Sequence, residues 1–135
     1  MDEDWLTTIQ VNGNVLFLAA GVFYYFMEEQ IKRFFISLAD AFPGCEVFFD
    51  VSSPTGVRVA NKKVVESSGL DEKSHLKWGL ENKKDLLAWD ARIKLISTYY
   101  YFRTLRIGLR NFLMGTLSDF LGIQYMLHLQ LGNSK

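Results

Sequence analysis

Residues 15–26, VLFLAAGVFYYF, contain no charged side chain. A short uncharged run rich in Val, Leu and Phe predicts a strand over residues 15–20, buried on both faces of a sheet. Gly21 interrupts it. The chain then turns through an aromatic corner, Phe23, Tyr24, Tyr25 and Phe26, into a segment rich in charge. A strand that ends in glycine and leads into a helix is where open α/β sheets place their ligands. The same residues are also consistent with a hydrophobic core strand and nothing more.

The rest of the chain fits an α/β reading. Residues 27–42 predict a helix in which Ile31, Phe34, Phe35, Leu38 and Phe42 share a face. Glu28 and Glu29 stand at its positive end, and Pro43-Gly44 stops it. Residues 45–51, CEVFFDV, predict a second buried strand. A strand, a helix and a strand joined by short links form a parallel, right-handed unit. Asp50 lies near the carboxyl end of that second strand, facing the ligand crevice of such sheets. The alternative is that Asp50 accepts hydrogen bonds from the turn that follows it.

Ser53 and Pro54 are suited to the N-cap and first position of a further helix. Asn82 is suited to cap a short helix through Leu86, Leu87 and Trp89. Residues 92–102 predict a long strand and 105–120 a helix. Arg103, Arg106 and Arg110 form a basic stripe on that segment, a solvated face, with a phosphate-binding face as an alternative that the net charge does not support. In the last segment Ile123, Tyr125, Leu127, Leu129 and Leu131 alternate with Gln124, Met126, His128 and Gln130. That period of two predicts a half-buried strand, antiparallel to its neighbours, with His128 on the more polar face.

At 135 residues the chain is long enough for one domain, and with 49% hydrophobic residues it is not of a disordered composition. The formal net charge is zero, so nothing steers it towards nucleic acid or an anionic membrane. The uncharged run is too short and too interrupted for a membrane span. Cys45 is the only cysteine, which predicts no disulfide framework and a cytoplasmic setting. Its position suits a small core residue better than a nucleophile. His75 and His128 match no metal-ligand spacing, and no metal is expected. The acidic start, MDEDW, does not read as a signal peptide.

Taken together, VLFLAAGVFYYF (15–26), AFPG (41–44), VFFDVSSP (47–54), KWGL (77–80) and LLAWD (86–90) resemble the C-terminal part of class I S-adenosylmethionine-dependent O-methyltransferases. The type resembled is that of tetracenomycin polyketide biosynthesis, related to leucine carboxyl methyltransferases. The resemblance implies the C-terminal half of a Rossmann-like sheet, about four mixed strands with flanking helices. Residues 1–135 then form a single partial domain holding the family's fourth, fifth and final two strands. The Gly-rich loop and ribose-binding acid of the family lie in its first three strands, to which nothing here corresponds. S-adenosylmethionine is therefore implied for an intact parent, and no tight binding to this chain.

By position, the resemblance places Ala19, Ala20, Gly21 and Tyr25 beside the cofactor. Asp50, Ser53 and Trp78 are the candidates on the side of a small-molecule methyl acceptor. The family often carries Glu where this chain has Ala20, which removes a carboxylate able to bind the cofactor or the acceptor. Methyl transfer depends on alignment more than on a single catalytic group, and none is assigned. With the first strand absent, the edge of residues 15–20 is expected to pair with a second copy in a homo-oligomer, unless residues 1–14 cover it. A non-catalytic α/β module for dimerisation or partner binding is the alternative, and a different small-molecule enzyme on a similar sheet a third.

Overall fold

The computed structural model describes residues 4–10, 12–65, 69, 71–100 and 123–132. Its centre is an α/β sheet of four strands: β1 (Leu16–Ala19), β2 (Cys45–Ser52), β3 (Ile93–Tyr100) and β4 (Gln124–Leu131), in the order β1-β2-β4-β3. β1 and β2 are parallel, and β4 runs antiparallel to both of its neighbours. Helix α1 (Glu28–Ala41) makes the crossover between the parallel pair, as a short uncharged strand, a charged amphipathic stretch and a second apolar strand require. The expected helix 105–120, the basic stripe of Arg103, Arg106 and Arg110, and residues 101–102 of the expected long strand lie outside the described residues.

The local signals act where the sequence puts them. The Gln30 side chain accepts a hydrogen bond from the Met27 N–H at the start of α1 (2.9 Å). Helix α2 (Pro54–Ala60) is capped by the Ser53 hydroxyl, which accepts from the Gly56 N–H (3.2 Å). Helix α3 (Lys83–Trp89) is capped by Asn82, whose side chain accepts from the Lys84 N–H (3.0 Å). Each such cap satisfies an amide that the first helical turn leaves without a partner.

Ile31, Phe34, Phe35, Leu38 and Phe42 are all buried, so the inferred helix face is the one that meets the sheet. They pack on Val47, Phe49 and Val51 of β2 and on the inward row of β4: Tyr125, Leu127, Leu129 and Leu131. Phe23, Phe35 and Phe49 form a triangle of edge-to-face contacts, each pair of centroids 5.3 Å apart. That geometry sets positive ring edges against negative ring faces. Trp89 extends the cluster from Phe35 (6.0 Å), and Trp78 extends it from Trp89 (6.2 Å).

One expectation is overturned. The run at 15–20 predicts burial on both faces, but the strand is shorter, Leu16–Ala19, and Leu16 is 55% and Leu18 72% exposed. In β2, Glu46 and Phe48 are likewise only half-buried. The physical reason lies in the layers. The core formed with α1 and with Leu86 of α3 contains the sheet face of Val47, Phe49, Leu127 and Leu129. The opposite face carries the rows Leu16–Glu46–Gln130–Lys94 and Leu18–Phe48–His128–Ser97. On that face His128 Nε2 lies 2.6 Å from Glu46 Oε2, and its Nδ1 lies 3.5 Å from Ser97 Oγ. A register shift between Leu95 and Ser97 marks a bulge at Ile96.

Candidate functional site

The carboxyl ends of β1 and β2 meet around Asp50. Its carboxylate is almost fully buried, and the two oxygens take different partners. Oδ1 accepts the Gly21 N–H at 2.7 Å, and Oδ2 accepts the Tyr24 hydroxyl at 3.1 Å. A buried carboxylate is costly unless such donors replace water. Asp50 does lie at the carboxyl end of the parallel pair, but its hydrogen bonds do not come from the turn that follows it. The carboxylate binds the turn after β1, the neighbouring strand, and not the turn after its own. Gly21 has φ of +68°, a left-handed conformation that glycine adopts without penalty.

Residues 77–80, KWGL, close the same end. The Tyr24 carbonyl accepts the N–H groups of Lys77 (2.6 Å) and Trp78 (3.2 Å), and the Ser52 carbonyl accepts that of Leu80 (2.8 Å). The segment is thus stitched to the turn after β1 and to the end of β2. Gly79 must be small: a Cβ there would come within 2.9 Å of the Pro54 backbone.

Ala20 and Gly21 are exposed at the end of β1, and Ala19 lines an apolar groove of about 270 Å³ with Trp5, Leu18, Val22 and Phe26. Tyr25 faces solvent, because the 3-10 turn Phe23–Tyr25 directs Phe23 and Tyr24 inward. Trp78 has only 3% of its surface exposed; its ring packs on Trp89 and its indole N–H reaches the Glu28 carboxylate (3.4 Å). Ser53 stands apart, in a shallow pocket of about 290 Å³ with Arg58 and Glu81. The fold therefore gathers Ala20, Gly21, Asp50 and the Trp78 backbone, and leaves Tyr25 and Ser53 outside that cluster.

Tyr24, Glu28 and Lys77 take part without having been singled out by the sequence. Nothing in the spacing separates Tyr24 from Tyr25; only the turn after Gly21 decides which ring goes in. Cys45 is buried, and that burial pushes its thiol up to about 11, so it stays protonated and unreactive near neutrality. Among the described residues no group of three or more His, Cys, Asp or Glu side chains gathers as a metal ion needs. No helix among them is long and apolar enough to cross a membrane.

What these features define is an α/β sheet whose parallel strands end at a glycine turn fixed by a buried carboxylate, beside an apolar groove along β1. Comparison of the chain with family models, with curated proteins and with solved structures returned no match.

Proposed function

We propose that this chain is the acceptor-side part of an S-adenosylmethionine-dependent O-methyltransferase acting on a small molecule such as a polyketide. The observation that carries the reading is the end of the parallel pair. Asp50 fixes the glycine turn after β1, leaving Ala20 and Gly21 open at the carboxyl end, where ligands of such sheets sit. The parallel β1–α1–β2 unit followed by two antiparallel strands also fits the fourth, fifth and final pair that the resemblance asks for.

In this reading the cofactor supplies an electrophilic methyl group, and the chain's part is positioning. Asp50 sets the Gly21 turn, and the KWGL segment holds Tyr24 beneath it. Precise placement of reacting atoms is itself a large share of catalysis for such a transfer. With Ala20 in place of a carboxylate and no Gly-rich loop, the chain alone binds the cofactor weakly. Its partners are the methyl acceptor and a second copy of itself at the β1 edge.

Isothermal titration with S-adenosylmethionine tests the reading. The expected result is binding in the millimolar range, on the order of 4 kcal/mol. Micromolar binding would contradict the claim that most of the cofactor site lies outside this chain. The exposed β1 edge also favours the second reading, a module whose role is association, for which the cofactor gives no heat at any concentration.

A further inference from the structure

β1 is the edge of the sheet among the described residues, and it is an edge of an unusual kind. The Val15 carbonyl accepts the Glu46 N–H, so the peptide groups of alternate residues 15, 17 and 19 turn towards β2. The N–H and C=O groups of Leu16 and Leu18 therefore point away from the sheet. Exposed edges are normally blunted by Lys, Pro, an inward charge or a bulge. Here residues 11–27 hold no charge and no proline. The side chains of Leu16 and Leu18 are exposed, and Trp5 and Val22, both more than 40% exposed, flank the adjoining groove.

We propose that β1 pairs antiparallel with β1 of a second copy, about a twofold axis at Phe17, so that one sheet runs through both copies. This deepens the association proposed above and does not depend on methyl transfer. Three observations select the occupant. First, the strand that this edge accepts must be uncharged and apolar on both sides, and LFLA of β1 is itself such a strand. Second, residues 11–27 carry no charge, so β1 pairs with its own copy without like-charge repulsion along the edge, and the chain as a whole is neutral. Third, the strand offers two outward residues, two apart, and antiparallel pairing of Leu16 with Leu18 of the other copy uses both.

In that register each Leu16 exchanges N–H and C=O with the Leu18 opposite. Phe17 meets its symmetry mate as a non-hydrogen-bonded pair, with Cα atoms ~4.5 Å apart. Phe17 lies on the α1 side of the sheet, 6.5 Å from Trp5 and 5.6 Å from Phe42 in ring centroids. The two copies thus bring their grooves together at the axis. The exposed parts of Trp5, Leu16, Leu18 and Val22 amount to roughly 400 Å² per copy, about half the ~800 Å² per partner of a standard interface. An interface of that size suits a weak, reversible dimer, not a permanent one.

Sedimentation of the unmodified chain from 1 to 100 µM, on the order of the expected constant, is expected to show a monomer–dimer equilibrium. L18K, at an exposed position, is expected to weaken it at least ~10-fold while leaving the circular dichroism melt unchanged at concentrations low enough for the monomer to prevail. Under mild oxidation F17C is expected to cross-link as a dimer, since ~4.5 Å suits a disulfide. A19C is not, because the pairing places its two thiols ~13 Å apart along the strands. A monomer throughout that range overturns the proposal. So does a dimer indifferent to L18K, a cross-link through A19C and not F17C, or an edge occupied by a different polypeptide. None of these outcomes depends on whether S-adenosylmethionine binds.

Discussion

Replacing Asp50 by alanine removes the group that ties the turn after β1 to the end of β2. The Tyr24 hydroxyl then loses its acceptor in a buried place and the Gly21 N–H loses its own in a partly exposed one. Hydrogen bonds to a charged group contribute about 1.5–3 kcal/mol each. Against that, the mutation relieves the cost of keeping a carboxylate out of water, which is several kcal/mol in real proteins. The net loss expected for Asp50→Ala is therefore about 2–4 kcal/mol, below the simple sum. Tyr24→Phe leaves the carboxylate buried with one donor fewer, and about 1–3 kcal/mol is lost. The discriminating quantity is the coupling. In an Asp50→Asn background the Tyr24→Phe change should cost at least ~1 kcal/mol less, because the charge that its hydroxyl served is gone. Urea denaturation followed by tryptophan fluorescence, at one fixed protein concentration, measures all four members of the cycle. A loss below ~0.5 kcal/mol for Asp50→Ala, or a coupling indistinguishable from zero, would refute the role given to this carboxylate.

Other consequences are as specific. Phe35→Ala, at the centre of the Phe23–Phe35–Phe49 triangle, should cost about 3–5 kcal/mol by denaturation, whereas half-buried Phe48 should cost visibly less when truncated. Equal losses would mean that the open face of the sheet is wrongly assigned. Gly79→Ala forces a methyl group against the Pro54 backbone and should cost about 1–3 kcal/mol, read as a lowered urea midpoint. Burial raises the Cys45 thiol from 9.0 to about 11 and the Tyr125 hydroxyl from 10.0 to about 12. Both groups hold their protons more tightly when folded. Their contribution is complete below about pH 9 and declines as pH rises towards 12, by at most ~1.4 kcal/mol per unit for each group. Stability that stays flat across that window, measured at constant ionic strength, would contradict the burial of these two groups.

Much of the fold is legible in the residues because burial on one side imposes a period. The helix face of Ile31, Phe34, Phe35, Leu38 and Phe42 and the alternation of β4 are both direct readings of spacing, and both match the buried set. Caps at Ser53 and Asn82 are legible because a short polar side chain before an apolar turn has few other uses. The exposure of β1 was not legible. An apolar run looks the same whether a second layer covers it or not, since composition records what a strand tolerates and not what lies over it. The hydrogen bonds of Asp50 were hidden for a different reason. Its donors are 29 and 26 residues away in sequence, and they are brought close only by the parallel pairing of β1 with β2. Tyr24 was hidden beside Tyr25 because a one-residue difference in a tight turn reverses which ring points inward.

The ligand site proposed above is the carboxyl end of β1. Amide chemical shifts of ¹⁵N-labelled protein, followed while S-adenosylmethionine is added to several millimolar, test it most directly, because weak binding still moves resonances at the site. Progressive, saturable shifts are expected at Ala20 and Gly21, reduced by Asp50→Ala, with Ser53 and the N-cap of α2 unmoved. Shifts confined to the pocket of Ser53, Arg58 and Glu81, or no shift anywhere, would contradict it.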